Sequence, residues 1–268
     1  MMIRILAIGD IVGKPGRRAI GDLLPQLTSE RGVDFVVANG ENAAGGSGLT
    51  PAVVQELLGF GVDAITSGDH IWKNKEVYKI IDGEMRLLRP ANYPPGSPGR
   101  GWTVFESRGG RSVGVINVMG RVFMGPSDCP FRAVDRAVGE LKRRTGVIIV
   151  DFHAEATSEK VALSRYLDGR VSAVVGTHTH VQTSDERIMA GGTAAITDLG
   201  MTGAHDSVIG VDEKAVLKRF LTCQPARFEV ARGDVRMSGA IIDVDEETGK
   251  AISISRISPG LPGKVDGG

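Results

Sequence analysis

The sequence predicts an α/β domain, on three observations. Short β-branched runs alternate along the chain with longer amphipathic stretches. Several runs, such as VIIVDF at 147–152 and VSAVV at 171–175, are apolar at all but one position, the mark of strands buried on both faces. The last segments instead alternate apolar and polar residues, so a sheet that begins parallel is expected to finish antiparallel.

Ile3–Ile8 is the first expected strand, followed by a Gly-rich turn and a helix from about Arg17 to Glu30. Val33–Ala38 is the next strand, leading into the polar loop NGENAAGGSG. Thr50-Pro51 starts a helix, a capping hydroxyl followed by proline at the first helical position. Val62–Thr66 is a third strand, ending in SGDH. From 74 to 110 the regularity weakens, and RPANYPPGSPGRG excludes a central strand or a helix interior. This stretch reads as an excursion, either a small cap or lid or a long surface loop.

Ser112–Val118, Val147–Phe152, Val171–Val175 and Ala194–Thr197 resume the core as strands, with helices from Thr157 and over Asp212–Thr222. Arg227–Ala231, Val235–Val244 and Ala251–Ile257 have strand alternation, the last two joined by a turn at Glu246–Gly249. The organisation expected is one domain over 1–258 and a loose tail over 259–268.

Lys plus Arg and Asp plus Glu number 32 each, which removes any bulk electrostatic case for nucleic acid or anionic membrane. No run reaches the ~18 apolar residues of a spanning helix, and the N-terminal run is too short for a signal-peptide core. Cys129 and Cys223 are far apart in unlike contexts, which favours a reducing compartment, the cytoplasm. A homo-oligomer is compatible with the sequence.

The chemistry lies at the strand ends. Of the five histidines His70, His153, His178, His180 and His205, four follow an expected strand closely. The acids Asp10, Glu41 and Asp69 occupy the same kind of position. In open α/β sheets ligands bind at that edge, so these side chains are expected to converge. Gly40, Gly45, Gly46 and Gly48 fit no nucleotide-cradling pattern and rather let Glu41 and Asn42 approach a metal. In GTHTH, an extended chain would direct His178 and His180 to one side.

Mixed carboxylate and imidazole donors in this number suit two ions ~3.5–4 Å apart better than a closed structural zinc site, which prefers Cys. Such a pair lowers the pKa of a shared, bridging water and supplies hydroxide for in-line attack on phosphorus. Donors of this kind accept Fe, Mn or Zn.

GDIVGKPGR, NGENAAGGSGL, TSGDHIW, DFHAEATSEK, VGTHTHVQTSDERI and TDLGMTG resemble the YmdB-like branch of the calcineurin-like metallophosphoesterases. The resemblance runs from Ile3 to about Gly210. It implies a sandwich of two sheets flanked by helices and hydrolysis of 2′,3′-cyclic nucleotides or other small phosphodiesters. It implies two transition-metal ions, iron or manganese foremost. Asp10, Glu41, Asn42 and His180 would hold the first, and Glu41, Asp69, His153 and His178 the second. His70 would be the proton donor to the leaving oxygen, and not a ligand.

In one place the chain departs from that pattern: Asp69 stands where the family usually has Asn. The added negative charge should disfavour dianionic monoesters more than monoanionic diesters. Lys73, Arg89, Asn92 and Arg121 are candidates for phosphate or base binding, while His205 has no assigned role. Two other functions compete with a diesterase: a phosphomonoesterase or nucleotidase on the same ions, and a noncatalytic regulator in which metal stabilises an RNA- or protein-binding scaffold. A scaffold has no need of His70.

Overall fold

Met2–Ile8 (β1) is apolar on both sides because both of its faces are covered. Ile3, Ile5 and Ala7 face one core, and Leu6 and Ile8 the other. The computed structural model describes residues 1–262. After β1 come Asp10–Ile11 (β2), Gly13–Arg31 (α1), Phe35–Asn39 (β3), Pro51–Gly59 (α2), Ala64–Thr66 (β4) and a 3-10 turn at Lys75–Lys79. Next are Trp102–Glu106 (β5), Ser112–Met119 (β6), Pro130–Leu141 (α3), Ile148–His153 (β7), Thr157–Leu167 (α4) and Ala173–Thr177 (β8). The chain closes with Arg187–Ile188 (β9), Ala194–Ile196 (β10), Met201–Asp206 (β11), Glu213–Thr222 (α5), Gly233–Arg236 (β12), Gly239–Asp245 (β13) and Ala251–Ile257 (β14).

Two main sheets form, in the orders β14-β13-β1-β3-β4 and β5-β6-β7-β8-β10-β9, with a small third sheet β12-β11-β2. The central strands β1-β3-β4 and β6-β7-β8-β10 are parallel, and antiparallel strands complete the edges. Between the two sheets lies a core that includes Ile5, Phe35, Val115, Ile149, Val175 and Ile242. A second core sets α1 and α2 on the first sheet through Ile20, Leu24, Val54 and Leu57. A third sets α3 and α4 on the second sheet through Val134, Val138, Leu163 and Leu167. The architecture is therefore a helix–sheet–sheet–helix sandwich. Each fully buried Ile, Leu or Phe in it contributes about 1.5–3 kcal/mol.

Local details follow from packing. Thr50 caps α2, its hydroxyl accepting from Val53 N at 3.2 Å. The helix expected from Arg17 starts four residues earlier, at Gly13, whose N–H donates to Asn42 O at 2.9 Å, a tertiary bond invisible in sequence. No element was expected between Met119 and Val147, yet α3 fills it, with Pro130 opening the helix and Ala133, Val134, Ala137, Val138 and Leu141 on its buried face. Val235–Val244 is two strands, because the chain leaves the small sheet at Met237-Ser238 for the first main sheet. Arg227–Ala231 is no strand; one isolated bridge, Val211 to Val230, is all that it forms.

Within 74–110, Trp102–Glu106 is the edge strand β5 of the second sheet, and Val77, Ile81 and Leu87 are buried in the core under α1 and α2. The proline-rich part lies between them without regular structure. Of the expected loose tail, 259–262 is described, with Leu261 N donating to Val235 O, and 263–268 lies outside the described residues. No helix among the described residues is long and apolar enough to cross a membrane.

Candidate active site

The carboxyl ends of the parallel strands in both sheets meet at one rim. Asp10 follows β1, Glu41 and Asn42 follow β3, Asp69 follows β4, His153 ends β7, and His178 follows β8. One donor atom each from Glu41, Asp69, His153 and His178 lie within 4.8 Å of one another, a group that could hold a metal ion. His153 Nε2 stands at its centre, 3.3 Å from both Glu41 Oε1 and Asp69 Oδ1 and 2.9 Å from His178 Nδ1.

Beside it sit Asp10, Asn42 and His180. His180 Nε2 is 3.3 Å from Asn42 Nδ2 and 3.8 Å from Asp10 Oδ1, and the Asn42 amide also reaches Glu41 Oε1 at 3.2 Å. Glu41 thus touches both halves.

The surrounding groups fix how each side chain of the cluster is presented. His153 Nδ1 bonds Thr177 Oγ1 at 3.0 Å, and that hydroxyl donates to Asp151 Oδ1 at 2.7 Å, leaving Nε2 for the cluster. His178 Nε2 faces Glu155 Oε2 at 3.1 Å, so Nδ1 points inward. His180 Nδ1–H donates to Ile209 O at 3.0 Å, which turns Nε2 toward Asp10.

The expectation of an extended GTHTH segment is corrected here. His178 and His180 adopt φ of 98° and 65°, a left-handed backbone that costs a non-glycine residue energy and clusters at functional sites. The two rings converge because of this turn, not because of a strand period. The residue between them is anchored: Thr179 N and Oγ1 both donate to Asp198 Oδ2, at 3.1 and 2.6 Å. That same oxygen pairs with the buried ammonium of Lys160 at 2.7 Å.

Charge is concentrated. Burial pulls the His153 imidazole down, but Glu41, Asp69 and Asp10 overcome it and hold its pKa well above the ordinary value. Burial would raise Glu41, yet His153, and after it His70, keep it low; Asp69 is likewise held low against burial, chiefly by His153. His178 is depressed by burial and by His153. Burial lifts Asp151 to about 6.

Three observations fit a cation. Asp10 Oδ1 is buried without any hydrogen-bond partner, a costly state for a carboxylate oxygen unless a positive charge satisfies it. The donors are carboxylate and imidazole, the chemistry of transition-metal sites. Gly68 leaves its side open to the cluster: a Cβ there would overlap the His153 ring and Glu41 Oε2.

His70 lies outside the four-residue group, about a third exposed and lining the adjoining cavity. Its Nδ1 is 2.7 Å from Asn42 Oδ1 and its Nε2 3.6 Å from Asp69 Oδ2. The cavity, about 520 Å³, is lined by no Lys or Arg but includes Glu41, Glu155 and Glu229.

The candidates for phosphate or base binding are not brought to it. Arg89 donates to the carbonyls of Pro90, Ser97 and Pro98, and Asn92 is buried against Met119 and Asp128, so both brace loops. Lys73 and Arg121 are exposed and do not line the cavity. His205 bonds Gly203 O, outside the four-residue group. Sequence reasoning missed Gly68, Glu155, Thr177, Asp198 and the pair Lys160–Asp198. The available signal was Asp151, an acid inside the apolar run VIIVDF, which had to be buried and therefore bonded.

A family model described as YmdB-like protein matches residues 6–257. The chain belongs to this family. It is 51% identical over 255 residues to a 2′,3′-cyclic-nucleotide 2′-phosphodiesterase of Bacillus subtilis, covering 95% of this chain and 96% of that one. Among solved structures, a hypothetical protein from Thermus thermophilus superposes with a TM-score of 0.91 at 46% identity, covering 97% of this chain and 100% of the other. A phosphatase from Mycoplasma pneumoniae gives a TM-score of 0.90 at 34% identity, over 97% and 94% of the two chains. The family match, like the sheet order, extends past the rim residues to β14.

Proposed function

We propose that this chain is a dinuclear-metal phosphodiesterase acting on 2′,3′-cyclic nucleotides or closely related small phosphodiesters. The observation that carries this is the convergence of Glu41, Asp69, His153 and His178 on one point, next to a buried Asp10 oxygen with no donor. Asp69, His153 and His178 would hold one ion, Asp10, Asn42 and His180 the other, with Glu41 shared. Iron or manganese is the metal we favour, and zinc is compatible. When bound, such ions neutralise phosphoryl oxygens and generate a nucleophile from water near neutral pH.

The protein's own groups do the rest. Asn42 Oδ1 accepts from His70 Nδ1–H, which leaves Nε2 on the cavity as the atom to carry a proton to the departing ribose oxygen. Thr177 and Glu155 hold the His153 and His178 rings so that the donor atoms stay in place.

A cavity without Lys or Arg, edged by Glu155 and Glu229, supports a monoanionic diester over a dianionic monoester. The unpaired Cys129 and Cys223 support a reducing compartment, the cytoplasm. Turnover of bis-p-nitrophenyl phosphate against p-nitrophenyl phosphate, with added manganese, tests the function, followed by adenosine 2′,3′-cyclic phosphate with product analysis. Faster diester cleavage is expected. Faster monoester cleavage would replace the proposal with a phosphatase, and no turnover on any of the three would refute catalysis.

A further inference from the structure

The cavity beside the cluster is lined by two unlike sets of residues. The polar set includes Glu41, Asn42, His70, His178 and His180, while Val12, Ile209, Val211, Phe228 and Val230 are apolar. Ile209 and Phe228 are 52% and 44% exposed, large apolar side chains that folding has left uncovered. Ile209 is held there at φ 46°, a strained backbone for a β-branched residue, by the turn that also gives its carbonyl to His180. Phe228 lies on a segment whose strand-like alternation finds no sheet, and the Arg219 guanidinium sits over its ring, 5.3 Å from the centroid. The same ring lines the cavity.

We propose that this apolar wall is a nucleobase subsite. Phe228 stacks the base, Ile209 and Val230 flank it, and the phosphate lies against the carboxylate–imidazole cluster. The chemistry of the wall selects this occupant. The cavity lining holds no Lys or Arg for a second phosphate and includes Glu155 and Glu229, the Arg219 guanidinium is engaged with the Phe228 ring, and an aromatic face accepts any flat neutral ring. A cavity of about 520 Å³ falls within the usual range for a ligand the size of one mononucleotide. The subsite rests on the phosphodiesterase function proposed above only for what occupies the metal end. It adds that the enzyme selects nucleotides over base-free diesters.

Calorimetry on manganese-loaded protein separates the two ends, with adenosine 3′-monophosphate and inorganic phosphate as probes. Phe228→Ala is expected to weaken nucleotide binding about tenfold or more, with phosphate affinity changed less than about twofold. Phe228→Trp should restore the nucleotide affinity. In turnover, KM for adenosine 2′,3′-cyclic phosphate should rise in Phe228→Ala by more than it does for methyl ribofuranoside 2,3-cyclic phosphate. Wild-type affinity for the nucleotide in Phe228→Ala, or an equal loss for nucleotide and phosphate, would overturn the subsite. A wild-type protein that binds nucleotide through Phe228 yet cleaves no diester would support the subsite and refute the phosphodiesterase function.

Discussion

Replacing Asp198 by Ala removes the carboxylate that ties Thr179, at the middle of the histidine turn, to the protein interior. Its Oδ2 accepts from Lys160 Nζ at 2.7 Å and from Thr179 N and Oγ1, and its Oδ1 from Gly200 N at 2.7 Å. Lys160 is 4% exposed, so the variant leaves a buried ammonium without its partner. Breaking such a pair from one side costs about 3–5 kcal/mol. For a chain of this size that lowers Tm by roughly 10 °C.

Lys160→Met is milder. The carboxylate keeps the three donors from Thr179 and Gly200 and loses one charge-assisted bond, about 1.5–3 kcal/mol. The double variant should cost less than the two singles together by about 0.5–3 kcal/mol, since neither charge is then left alone. Urea denaturation of the four proteins measures the cycle, and metal content after gel filtration measures the site. Asp198→Ala should lose metal more readily than Lys160→Met, because only the former frees Thr179 between His178 and His180. Strict additivity, or full metal retention by Asp198→Ala, would refute the anchoring role.

His70→Ala should keep its metal and lose roughly 10²–10⁴-fold in rate on alkoxide leaving groups, with a much smaller loss on p-nitrophenolate; equal losses on both, or loss of metal, would exclude proton donation. Asp69→Asn should fold normally and shift the rate ratio toward monoesters, because one negative charge leaves the phosphate end; an unchanged ratio would sink that charge argument. Gly68→Ala should empty the cluster while leaving the far core intact, since its Cβ would take the space of the His153 ring, and wild-type metal content would contradict the close approach. Metal affinity should rise with pH. His153 carries a raised pKa in the metal-free protein, so binding must expel its proton below that pKa and needs to expel none above it. Proton release, measured by calorimetry in buffers of different ionisation enthalpy, should diminish as pH increases, and its absence at low pH would refute the assignment.

How far the site could be read from the chain differs residue by residue. Asp10, Glu41, Asp69, His153 and His178 were legible because each follows an apolar run closely, and parallel strands bring such positions to one edge whatever the sheet order. The convergence of His178 and His180 was expected for the wrong reason. A left-handed turn is set by Asp198, Lys160 and Ile209, which lie 18 or more residues away in sequence.

Arg89 and Asn92 looked like phosphate groups because a polar residue in an irregular loop carries no sign of its partners. The structure spends both on backbone carbonyls. Helix α3 carries a helical apolar spacing in its sequence, whereas Arg227–Ala231 has the strand pattern but no sheet edge to join.

By itself, then, the sequence determined the fold class, the strand-end placement of the metal-competent side chains and the absence of bulk charge, since each depends on local pattern or composition. Which ring nitrogen faces the cluster, which oxygen is left without a donor, and which apolar side chains line the cavity were decided only by tertiary structure. Those properties belong to pairs of residues far apart in the chain, and no local preference encodes a distance between them.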